Sequence, residues 1–165
     1  MTVTTAAADG GTGPAADPEI TLLVARREED LPAWAPREAL AAFFHETMKP
    51  YEDTLADVNR GIDYAFSEAE GKGGFLVLAE REGRLAGALL MLNTAMGGYV
   101  PPNLLLFVSV DPALRGRGVG RRIIERALDA CEGPVKLHVE YDNPARRLYE
   151  RIGFASDYAE MRYRP

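Results

Sequence analysis

From Leu104 to Cys131 the chain calls for a strand, a glycine turn and a helix in immediate succession. Leu104 to Val110 is an unbroken apolar run of strand length. Asp111-Pro112 ends it, because proline has no N–H to give a ladder. Glycine then stands at 116, 118 and 120. Val119, Ile123, Ile124, Ala127, Leu128 and Cys131 follow at helical spacing and mark one buried face. Glycines let main-chain N–H groups approach a ligand closely, and a helix N-terminus places positive potential at the same point. The segment is therefore expected to bind something phosphorylated.

Spacing excludes two common phosphate loops. No lysine follows the glycines, as the Gly-x-x-x-x-Gly-Lys-Ser/Thr loop requires, and Gly116-x-Gly118-x-Gly120 is not the Gly-x-Gly-x-x-Gly of dinucleotide sites. A second segment lies downstream. Residues 135–140 alternate like a strand, and Asn143, a good N-cap, with Pro144 at the first helical position introduces a short helix bearing Leu148, Tyr149 and Ile152 on one face. Gly153 stands where a left-handed C-terminal residue belongs. Arg115-x-x-Gly118-x-Gly120 after a strand resembles the pyrophosphate loop of the GNAT superfamily of N-acetyltransferases. Leu137, Val139, Asn143, Ala145, Leu148, Tyr149, Gly153 and Phe154 resemble that superfamily's second conserved segment, so the likeness covers about residues 104–155.

This resemblance implies an α/β fold with a mixed central sheet of six to seven strands flanked by about four helices. It implies that the fourth and fifth strands splay apart and that acetyl-CoA, the cosubstrate, lies in the gap. Val108, Ser109 and Val110 would then offer main-chain contacts, and Arg115, Gly116, Arg117, Gly118, Val119 and Gly120 would hold the pyrophosphate. Asn143 would serve as both helix cap and cofactor contact, and Arg121, Arg122, Arg146 and Arg147 are candidates for the ribose phosphate. Tyr149 matches the family's acid.

The chemistry implied is direct attack of an amine on a thioester. A lysine-type amine, pKa ≈ 10.4, must lose a proton first, and a tyrosine of pKa ≈ 10 can hydrogen-bond a departing thiolate of pKa ≈ 8.5. Many family members carry a glutamate on the fourth strand, but Leu104 to Val110 contains none. Candidates for the base are His45, Glu46, Glu52, Asp53, Glu140 or water. Tyr51, Asn93, Thr94 and Tyr99 are candidates to line the acceptor pocket.

The other segments complete the pattern. A strand is expected at 20–25, helices at 36–48 and 54–69, and strands at 75–79 and 85–92 around Arg81-Glu82-Gly83-Arg84, with one or two more strands after Phe154. At 165 residues the chain is of one-domain length: residues 1–18 read as a flexible tail without the features of a secretory signal, and 19–165 as a single domain. One cysteine and two histidines leave no basis for a disulfide framework or a metal site. No apolar run reaches the ~18 residues of a membrane span.

Charge is uneven. Residues 1–100 carry 16 acidic and 8 basic side chains, a net of −8, and residues 101–165 carry 9 and 11, a net of +2. The basic half holds the anion loop, while the acidic half suits a cationic amine. The overall charge of −6 argues against nucleic acid as a partner. The expectation is a cytoplasmic N-acetyltransferase acting on a small-molecule or protein amine, compatible with a homodimer. The alternative is a non-catalytic acyl-CoA sensor or interaction module.

Overall fold

Two nearly unbroken apolar strands form the centre of the molecule, β2 (Gly74–Arg81) and β3 (Arg84–Asn93). Strands apolar in successive positions must be covered on both faces. Phe75, Val77, Ala79, Leu89 and Met91 pack with α3 (Val119–Asp129), whereas Leu76, Leu78, Ala88 and Leu90 pack with α1 (Arg37–Thr47) and α2 (Leu55–Ala65). Glu82-Gly83 joins the strands with φ values of 54° and 74°, the doubly positive pair of a two-residue primed turn. The computed structural model describes residues 19–165, so the tail expected over 1–18 lies outside the described residues.

β1 (Thr21–Ala25) runs antiparallel to β2, and β4 (Asn103–Val110) antiparallel to β3. β5 (Val135–Leu137) is parallel to β4, giving a mixed sheet in chain order from β1 to β5. α4 (Arg146–Ile152) lies beside α3. Among the described residues there are five strands, not the expected six to seven. No strand follows Phe154, because Met161 and Tyr163 stay over 90% exposed and give an edge no apolar face to bury.

Three expected boundaries also move. α2 stops at Ala65 rather than 69: the chain folds back there, with Gly73 N–H bonded to Tyr64 O at 3.1 Å. Leu55, at the start of α2, is 48% exposed. β5 stops at Leu137 rather than 140 because Glu140 O accepts from Asn143 N at 3.1 Å, closing a turn. α4 then starts at Arg146, not at Pro144: Asn143 Oδ1 takes the Ala145 N–H at 3.0 Å, two residues ahead, and so makes a turn before the helix rather than its cap.

β4 carries the irregularity that matters most. Leu90 pairs with Phe107 and Met91 with Leu105, so Leu106 is an extra residue with no opposite number. Leu106 and Phe107 consequently both face the α1/α2 side, whereas Leu105, Val108 and Val110 face α3. Gly61 of α2 sits over this bulge, where an added Cβ would come within 2.8 Å of Leu106 Cδ2 and 2.9 Å of Leu90 Cδ2.

Candidate active site

β4 pairs with β5 only through Asn103, Leu104 and Leu105. Asn103 Nδ2 fixes this short contact by donating to Glu132 O and Pro134 O at 2.8 and 3.2 Å. From Leu106 to Val110, β4 keeps β3 on one side and has no strand on the other among the described residues. The bulge lies at this parting, and an inserted residue bends the strand that carries it. Val108 and Val110 are half-buried and Ser109 is buried, and all three are held in register by Leu89, Gly87 and Ala88.

The opened strand runs directly into the glycine turn. Asp111 Oδ1 accepts the Ala113 N–H at 2.9 Å and starts a single 3₁₀ turn, Pro112–Leu114. Gly116 and Gly118 follow at φ 76° and 78°, a conformation that side chains disfavour. A Cβ at either would meet nothing within 4 Å, so conformation rather than space demands glycine there. Gly118 is the N-cap of α3 and has no side chain to satisfy the first N–H groups of that helix. Gly120 differs: it is helical, and an added Cβ would rest 3.5 Å from both Leu148 and Val110. The Val119 side chain belongs to the core, 1% exposed, so only its main chain is available to a ligand.

Arg115 also has protein partners. It donates to Val110 O at 3.2 Å and to Thr47 O, the last residue of α1, at 2.5 Å. The guanidinium thus ties the end of β4 to a helix C-terminus, where carbonyls lack partners and cations are favoured. Sequence reading gave no hint of this contact, because Thr47 lies 68 positions away.

Tyr149 projects from α4 into the α3-side core, 8% exposed, with its ring edge-on to Phe154 at 5.9 Å between centroids. Burial, helped by the Glu140 carboxylate, pushes its phenol up to about 12. Gly153 ends the helix at φ 116°, as its position in the sequence implied.

Comparison with known proteins meets this geometry. The sequence model of the acetyltransferase (GNAT) family matches residues 33–154, most of the chain. The chain belongs to the GNAT family. Among relatives, N-alpha-acetyltransferase RimI of Mycobacterium tuberculosis is 45% identical over 58 residues, 34% of this chain and 37% of that protein. Mycothiol acetyltransferase of Renibacterium salmoninarum is 27% identical over 142 residues, 82% of this chain and 40% of that protein. The chain thus spans about two fifths of the length of these curated relatives. A ribosomal-protein-alanine N-acetyltransferase from Brucella melitensis biovar Abortus 2308 shares the fold, with a TM-score of 0.58 at 18% identity over 88% of this chain and 98% of that one.

This GNAT chain distributes the remaining candidates unevenly. Arg121 pairs with Glu125 at 2.7 Å, Arg146 pairs with Glu150 at 3.0 Å, and Arg122 donates to Ile20 O at 2.9 Å. Arg147 is exposed on α4. Thr94 closes the β3–β4 loop on Pro101 O at 2.8 Å, and Asn93 Oδ1 accepts from Ala95 N–H, so both hold loop shape. Tyr99 is exposed against Tyr158, 5.6 Å between ring centroids. Tyr51 is half-buried and sits near enough to Asp142 and Glu140 that these carboxylates, after burial, raise its phenol.

The base candidates separate in the same way. His45 Nδ1 lies 2.9 Å from Asp53 O. Glu46 is held by Lys49 at 2.8 Å, which keeps its carboxyl below the usual range. Asp53 lies near Arg162 and Glu52 near Lys49. Of the five, Glu140 alone neighbours Tyr149. No group of three His, Cys, Asp or Glu among the described residues could hold a metal, and no described helix is long and apolar enough to cross a membrane.

Proposed function

We propose that this chain transfers an acetyl group from acetyl-CoA to a primary amine. The observation that carries the reading is the continuity of three features: an opened strand edge from Leu106 to Val110, the left-handed glycines at its foot, and the buried Tyr149. The residues suit such a ligand. The α3 N-terminus lacks a side-chain cap, which favours pyrophosphate at the N–H groups of Val119, Gly120 and Arg121. The strandless edge at Val108, Ser109 and Val110, where Val110 O already accepts from Arg115, offers its remaining main-chain groups to the amide-bearing arm. Arg115 and Arg117 add positive charge at the turn, with Gly116 and Gly118 giving it shape, and Asn143 lies on the turn between β5 and α4.

Bound there, the thioester supplies an electrophilic carbonyl and a thiolate leaving group. Tyr149 answers the second need. With its phenol near 12 it stays protonated at neutral pH. Full proton transfer to a thiolate of pKa ≈ 8.5 would be uphill by roughly 5 kcal/mol, so the hydroxyl acts as a hydrogen-bond donor to the developing charge and water delivers the proton.

One relative is named for N-alpha-acetylation and another for mycothiol, so the acceptor is tested as a panel. Alkylamines, polyamines and peptides with a free N-terminal alanine would be offered with acetyl-CoA while thiol release is followed. Amine-dependent thiol release supports the reading. A melting rise with acetyl-CoA but no release with any amine favours a sensor.

A further inference from the structure

Glu140 stands just past the end of β5, where the two strands have parted. Its main-chain oxygen accepts the Asn143 N–H and its carboxylate accepts Asn143 Nδ2, each at 3.1 Å. The same asparagine opens the turn into α4 through Oδ1. One residue therefore fixes the carboxylate and begins the helix that presents Tyr149. Glu46, Glu125 and Glu150 each bind a cation, whereas Glu140 has no ion pair among the described residues. Its charge acts on Tyr149 of α4 and on Tyr51 of the α1–α2 loop, and Asp142 of its own loop acts on Tyr51 as well.

We infer that Glu140 is the carboxylate that receives the acceptor nitrogen where β4 and β5 part. The inference rests on the acetyl-transfer reading above. A carboxylate is far too weak a base to strip an alkylammonium of pKa ≈ 10.4 before attack. Its task falls later. The neutral amine donates an N–H hydrogen bond to Glu140, and the nitrogen lone pair forms the C–N bond. That nitrogen becomes strongly acidic as the bond forms, and its proton passes to a Glu140 oxygen. The C–S bond breaks with its electron pair on sulfur, where Tyr149 donates a hydrogen bond. Water carries the proton from Glu140 to the thiolate, leaving one amide and one thiol.

The experiment compares two substitutions that separate chemistry from architecture. Glu140→Gln keeps an oxygen for Asn143 Nδ2 but loses the charge and the base. Glu140→Asp keeps the charge but shortens the reach to Asn143. A chemical role predicts that Glu140→Gln loses about 10²-fold in amine-dependent thiol release, with the acetyl-CoA melting shift intact, and that Glu140→Asp recovers part of the loss. A purely structural role predicts the reverse order. A second readout needs no turnover: in Glu140→Gln the Tyr149 phenol should ionise at lower pH, seen by alkaline absorbance with Tyr149→Phe as blank. Parental rates in Glu140→Gln, the reverse order, or an unmoved phenol would each overturn the assignment while leaving acetyl transfer standing. A parent that releases no thiol with any amine would overturn the acetyl-transfer reading itself.

Discussion

Between β1 and β4 the sheet is paired along nearly its full length, eight register pairs joining β2 to β3 and seven joining β3 to β4, whereas β5 meets β4 at three. The closed side is apolar on both faces and contains Leu76, Leu78, Leu89, Leu90 and Met91, all fully buried. The open side offers half-buried strand residues, positive-φ glycines and a phenol held in its neutral form. Side chains that stabilise the fold and the groups proposed to meet a ligand thereby lie on different sides of the sheet. Substitutions on the two sides should fail in different assays.

The largest effect belongs to the closed side. Leu90→Ala removes a fully buried side chain between α2 and the sheet and should cost about 2–5 kcal/mol in denaturant unfolding, while the surviving folded protein still gains stability from acetyl-CoA. Loss of the cofactor response in folded Leu90→Ala would break the separation. On the open side, Tyr149→Phe removes one hydroxyl and leaves the ring on Phe154. Its kcat should fall about 10²-fold, equivalent to roughly 2.7 kcal/mol, with cofactor affinity and neutral-pH stability near parental. An unchanged kcat would make Tyr149 a packing residue. An equal loss of binding and rate would make it a clamp on the cofactor.

Gly118→Val tests the turn. A β-branched residue at φ 78° costs about 1–3 kcal/mol of stability, and acetyl-CoA at 100 times its Kd, worth about 2.7 kcal/mol to the parent, should no longer raise the melting temperature. A parental ligand shift would remove the turn from the site.

The smallest effect is set by pH. Because burial raises the Tyr149 phenol in the folded state from 10 to about 12, its contribution is complete below pH 10 and disappears as pH climbs toward 12. The parent should lose about 1.4 kcal/mol by pH 11 from this group, a loss absent from Tyr149→Phe. Parallel stability curves for the two proteins would show that the phenol is open to water.

Much of the closed side was legible from residues alone. Two unbroken apolar runs with a Glu-Gly pair between them specify β2, β3 and their turn, because burial on both faces and positive φ leave few other solutions. Gly116, Gly118 and Gly153 were legible for a similar reason. What escaped sequence reading depended on distant partners. The contact of Arg115 with Thr47, 68 positions away, has no local signature. The strands expected after Phe154 illustrate the opposite error: Ala159, Met161 and Tyr163 alternate with charged residues as a half-buried strand would, but no face of the protein covers them.

The extra residue in β4 sets a phase. Upstream of Leu106 the odd-numbered side chains point toward α3, and downstream the even-numbered ones do, so a single position shifts the pattern by half a period. Truncating the Leu106 side chain leaves that phase alone. Deleting the residue would close the bulge into regular alternation, with Val108 and Val110 still toward α3, and would remove the bend that it puts where β4 leaves β5. The added length, not the side chain, is thus what bends β4 at the point where its second neighbour ends.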